Sequence, residues 1–91
     1  MELKEKRALV TGGSEGIGRG IAEALLARGA QVGIMARDGD KLERAARETG
    51  AVPFTGDVGR EEDAVRVVEA FTARFGGIDI LVNNAGTNIA R

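Results

Sequence analysis

Apolar positions along the chain fall into short unbroken runs that alternate with stretches of helical spacing. Ala8-Leu9-Val10 ends at Thr11-Gly12 and predicts a buried strand. From Ile17 the apolar residues recur at Ile21, Ala24 and Leu25, one face of a helix that ends near Gly29. "QVGIMA", Gln31 to Ala36, predicts a second strand. A helix starting at Asp38 or Gly39 then carries Leu42, Ala45 and Ala46 inward and stops at Gly50. "AVPFTGD" predicts a third strand and holds the single proline, Pro53. A longer helix follows from about Arg60 to Phe75, with Ala64, Val68, Phe71 and Phe75 on its buried face. Glu61, Glu62 and Asp63 sit in its first turn, where the macrodipole favours anions. Gly76-Gly77 ends it, and "IDILV" predicts a fourth strand.

Strands and helices thus alternate from end to end with short connections, which predicts a parallel sheet with right-handed crossovers, a doubly wound α/β arrangement. The strands are apolar without alternation, as expected where helices cover both faces. If the order across the sheet is 3-2-1-4, Pro53 lies on an edge strand, where a missing N–H is tolerated. "IDILV" would form the other edge, although it is composed like a central strand. Residues 1–91 therefore read as one domain, an incomplete one that stops after its fourth strand.

Composition narrows the function classes. Hydrophobic residues make up 43% and charged residues 30%, the balance of a soluble globular domain. Thirteen basic against fourteen acidic side chains leave no cationic face for nucleic acid, and three phenylalanines are too few for a base-stacking platform. The chain has neither cysteine nor histidine, so a disulfide scaffold, a thiolate nucleophile and the usual transition-metal sites are excluded, and no carboxylate cluster has ligand spacing. The charged N-terminus and the short apolar run after it predict no signal peptide or membrane span, hence a cytoplasmic protein.

The candidate chemistry lies in "TGGSEGIGRG", Thr11 to Gly20, where five glycines fall within nine residues between the first strand and the first helix. Such density implies backbone passing close to something. A helix N-terminus offers unsatisfied N–H groups to a phosphate there. In Gly12-x-x-x-Gly16-x-Gly18, Gly12 would allow the turn off the strand, Gly16 the approach of a diphosphate, and Gly18 close packing of the helix on the sheet. Ser14 adds a hydroxyl. A P-loop fails, because Arg19-Gly20 stands where Lys and Ser/Thr are needed. The spacing also departs from G-x-G-x-x-G, and a purely structural turn stays open on this loop alone.

"TGGSEGIG", "GDV" and "NNAG", in that order and spacing, resemble the short-chain dehydrogenase/reductase family from about Lys6 to Gly86. The resemblance implies a Rossmann-like three-layer α/β/α fold, with the three motifs at the ends of strands one, three and four around one crevice. It implies that Gly12, Ser14, Gly16, Ile17 and Gly18 surround the pyrophosphate and adjoining ribose of a nicotinamide dinucleotide. Asp57 and Val58 would hold its adenine, with a turn or cap as the other reading of Asp57. Asn84, Ala85 and Gly86 would approach a ribose, while Asn83 ties loops together and Asp79 is structural.

Strand two ends at Ala36, with Arg37 next, where NAD-preferring relatives place a carboxylate. A guanidinium there can fork onto a 2′-phosphate and stack on adenine, so NADP(H) is favoured over NAD(H). Against this, Glu15 occupies a position where many NADP-preferring relatives carry a base, Asp38 could serve as the carboxylate, and Arg37 could be a solvated loop charge. The implied reaction is hydride transfer between nicotinamide and a small carbonyl or alcohol substrate. The family's Tyr, Lys, Ser and Asn machinery has no counterpart here: there is no tyrosine, and Lys4, Lys6 and Lys41 lie outside any such motif. No catalytic residue is assigned, and the chain alone is expected to be inactive. It is expected to form homo-oligomers or to associate with a missing C-terminal part. The alternative is a non-catalytic nucleotide-binding or assembly module.

Overall fold

The computed structural model describes residues 3–84. β1 (Arg7–Thr11), α1 (Gly16–Ala27), β2 (Gln31–Ala36), α2 (Gly39–Thr49), β3 (Val52–Thr55), α3 (Glu61–Phe75) and β4 (Ile80–Asn83) follow one another along the chain. All pairings are parallel and the sheet order is β3-β2-β1-β4, the arrangement expected of a Rossmann-like fold. Pro53 sits on the outer strand β3.

Two cores explain why the middles of β1 and β2 carry no alternating polar pattern. Ala8, Val10, Val32 and Ile34 face α1 and α2, packing with Ala22, Leu42, Ala45 and Ala46. Leu9 and Met35 face the other way, onto Val67 and Phe71 of α3, with Phe54, Phe75 and Ile78 closing the edge. The Phe71 ring lies 5.7 Å from Phe54 and 4.7 Å from Phe75, in tilted arrangements that add to its burial.

α2 follows its sequence signals closely. Asp38 caps it, its Oδ1 accepting from the N–H groups of Asp40 and Lys41, and Gly50 ends it in the left-handed region. Two helix faces differ from the periodic reading. Ile17 is 77% exposed and Ala24 is also exposed, because α1 turns Gly18 and Ala22 to the sheet, with Ile21, Leu25 and Leu26 beside them. On α3 the inner row is Ala64, Val67, Phe71 and Phe75, which leaves Val68 40% exposed. Val67 and Val68 are equally apolar, but Val67 is the one that shares the cluster of Phe71, Leu9 and Met35, with the Phe71 ring lying over Gly33.

The junction of β1, α3 and β4 is tied by one ion pair. Arg7 donates from Nε to Asp79 Oδ2 at 2.8 Å and from an Nη to Oδ1 at 3.1 Å, while its backbone N–H also reaches Oδ2 at 2.8 Å. Asp79 is thereby structural. The side-chain hydrogen bond from Arg7 is the main cause that lowers its pKa from 3.8 to about 2. The folded pKa is depressed, so this contribution to stability is complete above the unfolded value and is lost as pH falls from 3.8 through about 2. Asp79→Asn should therefore weaken the intact protein at neutral pH and flatten the acid limb of its melting-temperature profile below about pH 4. A variant whose acid limb parallels that of the wild type would count against this role.

Candidate cofactor site

The site is built on the segment between β1 and α1. Gly12 extends the β1–β2 ladder, donating to the Met35 carbonyl at 2.8 Å, and then turns with φ +69°. Gly16 opens the helix at φ +61°, a conformation that disfavours any L side chain, and a Cβ there would meet nothing within 4 Å. Its outer face is bare. Gly18 is the opposite case. A Cβ at Gly18 would fall onto the Gly12 carbonyl oxygen and 2.7 Å from Asn84 Nδ2. The glycine therefore serves helix-to-loop contact and brings the end of β4 against the turn after β1. Thr11 reinforces this closure, its buried hydroxyl lying 3.2 Å from both the Val82 carbonyl and Asn83 Oδ1.

Among the three helices described, α1 alone has neither a side-chain cap nor an acidic residue in its first turn. Its N-cap position is Glu15, whose carboxylate does not bond back to the helix. The first turn, Gly16 to Gly18, is left with N–H groups suited to an external anion. Arg19, just inside the helix, is committed elsewhere: it pairs with Glu23 at 3.2 Å and with Glu48 of α2 at 2.8 Å. These carboxylates raise its pKa, the Glu48 hydrogen bond most of all.

Beside the helix start lies an open cleft of about 520 Å³, lined by Ser14, Glu15, Ala36, Arg37, Asp38 and Lys41. The turn after β1 and the turn after β2 form its walls, which brings Ser14, Glu15 and Arg37 together. Arg37 has no ion-pair partner among the described residues. Asp38 is held by the α2 cap, where Oδ1 already accepts two backbone N–H groups.

The "GDV" segment starts next door, since Gly56 donates to the Ala36 carbonyl at 3.0 Å. Asp57 forms a turn, its Oδ1 accepting from Gly59 N–H at 2.8 Å, while its own N–H donates to Asp63 at 2.9 Å. That backbone hydrogen bond is the leading reason the Asp63 carboxyl is held below its ordinary pKa. Asp57 and Val58 do not line the cleft itself. Ile17 and Val58 are both exposed apolar side chains flanking the strand ends. Ala85 and Gly86 lie outside the described residues. Lys41, which carries no motif signal, is the cleft residue that sequence reasoning missed; its place in the first turn after the Asp38 cap was the available clue. Among the described residues no helix is long and apolar enough to cross a membrane, and no group of three or more acidic residues is placed to hold a metal ion.

The parallel β3-β2-β1-β4 sheet, the uncapped start of α1 and the cleft beside it define an α/β protein of Rossmann-like fold. The short chain dehydrogenase family matches residues 6–91, and the chain belongs to that family. It is 43% identical over 97 residues to the 3-oxoacyl-acyl-carrier-protein reductase FabG of Vibrio cholerae, covering 94% of this chain and 36% of the relative. It is 45% identical over 82 residues to the L-fucose dehydrogenase of Bos taurus, covering 89% and 30%. The structure of L-sorbose reductase from Gluconobacter frateurii, complexed with NADPH and L-sorbose, superposes with a TM-score of 0.90 at 41% identity, over all of this chain and 37% of that one. The chain thus spans about a third of the length of the relatives it matches.

Proposed function

We propose that residues 1–91 form the cofactor-binding part of an NADP(H)-dependent oxidoreductase that transfers hydride between nicotinamide and a small carbonyl or alcohol. The observation that carries this reading is the bare, glycine-flanked start of α1 opening beside the cleft that holds Arg37. The N–H groups of Gly16, Ile17 and Gly18 would receive the diphosphate, Ser14 a neighbouring oxygen, and Arg37 a 2′-phosphate. Asp57, Val58, Asn84, Ala85 and Gly86 would enclose the adenine and riboses. When bound, the nicotinamide supplies the hydride donor or acceptor. The role of this chain is to bind and orient. With no tyrosine and no histidine in the 91 residues, we assign the acid–base step to groups outside them.

The preference for NADP(H) rests on two features of the cleft. Arg37 has no ion-pair partner among the described residues, and the carboxylate of the turn after β2 that faces the cleft, Asp38, is engaged in capping α2. A carboxylate held by two backbone donors is poorly placed to take both ribose hydroxyls. Calorimetric titration of the intact protein should give tighter binding of NADPH than of NADH. Equal or tighter binding of NADH would overturn the preference.

A further inference from the structure

Glu15 and Lys41 face each other across the cleft, with Lys41 Nζ 3.5 Å from Glu15 Oε1. One comes from the turn after β1 and the other from the first turn of α2, so the pair bridges the two walls. Both side chains are more than half exposed, 55% for Lys41 and 71% for Glu15. An exposed pair of long side chains holds weakly and exchanges partners readily. The remaining charges of the cleft are Arg37, without an ion-pair partner among the described residues, and Asp38, fixed by the cap. Without a ligand the four charges cancel. A dianion entering beside Arg37 changes this balance: it attracts Lys41 and is repelled by Glu15.

From this geometry we infer that Lys41 is a second, switchable cation for the 2′-phosphate of NADP(H), and that Glu15 is its resting counter-ion and opposes the dianion. The inference rests on the cofactor reading above and adds specificity residues to it. Lys41 is well suited to exchange, since a flexible ammonium can leave a carboxylate 3.5 Å away and turn to a phosphate on the same side of the cleft. Glu15 then works against 2′-phosphate binding, so the protein discriminates less sharply than Arg37 and Lys41 together would allow. The same arrangement makes discrimination fall with added salt, because the participating charges are exposed.

The test uses two probes that differ by the 2′-phosphate alone, 2′,5′-ADP and 5′-AMP, titrated into the intact protein. Lys41→Met keeps a good helix former in α2. It should weaken 2′,5′-ADP binding about 5- to 10-fold, the loss of one exposed charge contact, and leave 5′-AMP binding nearly unchanged. Glu15→Gln should strengthen 2′,5′-ADP binding by about 2- to 5-fold through removal of a like charge, again with little effect on 5′-AMP. Thermal melts of both variants establish that the fold is retained. Should Lys41→Met weaken both probes equally, or should 2′,5′-ADP bind the variant as it binds the wild type, the inference is wrong. A wild type that binds 5′-AMP as tightly as 2′,5′-ADP would remove the NADP(H) reading itself, and this inference with it.

Discussion

Replacing Gly18 with alanine is expected to lower the stability of the intact protein by about 2 kcal/mol and to abolish cofactor binding in whatever fraction stays folded. The added Cβ would meet the Gly12 carbonyl oxygen and carbon and the Asn84 amide, two of these three atoms being backbone that cannot swing aside. Overpacking of this kind costs roughly 1–3 kcal/mol, and the better helix propensity of alanine returns at most about 1. Relief requires α1 to lift away from the turn after β1, which displaces the Gly16 to Gly18 amides from the place where a diphosphate would lie. Gly20→Ala is the matched control. It lies in the same helix with nothing within 4 Å of its Cβ position, so it should be neutral or stabilising by up to about 1 kcal/mol. Chemical denaturation of the two variants compares them directly. Equal midpoints would mean that the close approach at Gly18 is not what requires glycine there.

Charge reversal at Arg37 should have the largest effect on cofactor choice. Arg37 stands on the cleft wall at the end of β2 and has no ion-pair partner among the described residues, so on the proposed function its guanidinium would meet the phosphate. A hydrogen bond to a charged group contributes about 1.5–3 kcal/mol, which corresponds to roughly 10- to 100-fold in affinity. Arg37→Asp removes that contact and adds repulsion next to Glu15 and Asp38. NADPH binding should fall by at least roughly 10-fold while NADH binding is maintained or improved, so the preference inverts. If both cofactors weaken in parallel, Arg37 supports the loop and does not read the 2′-phosphate.

How far the sequence could be read depended on whether side chains or main chain carried the information. α2 was legible to within a residue, because the apolar spacing of Leu42, Ala45 and Ala46 and the terminal Gly50 agree, and the start read as Asp38 or Gly39 is Gly39 with Asp38 as its cap. The strand order was legible too, since Pro53 marks an edge and the crossovers have one hand. The buried face of α1 was not. Its key contact is Gly18, which has no side chain to register as apolar, so the periodic reading settled on Ile17 instead. On α3 the adjacent valines Val67 and Val68 are equivalent in spacing, and only the three-dimensional seat of Phe71 separates them.

The site divides along the same line. The glycine spacing announced the loop, and Arg37 could be placed by counting to the end of β2. The Asp38 cap could not be read from spacing, because one oxygen accepting two N–H groups is a fact of geometry. Lys41 entered the cleft only through the winding of the first turn of α2.

The most direct test follows backbone amide signals of the intact protein while NADPH is added. Gly16, Ile17 and Gly18 should move earliest and furthest, as their N–H groups take hold of the two bridging phosphates. NADPH binding that leaves those three amides undisturbed would contradict the proposed function.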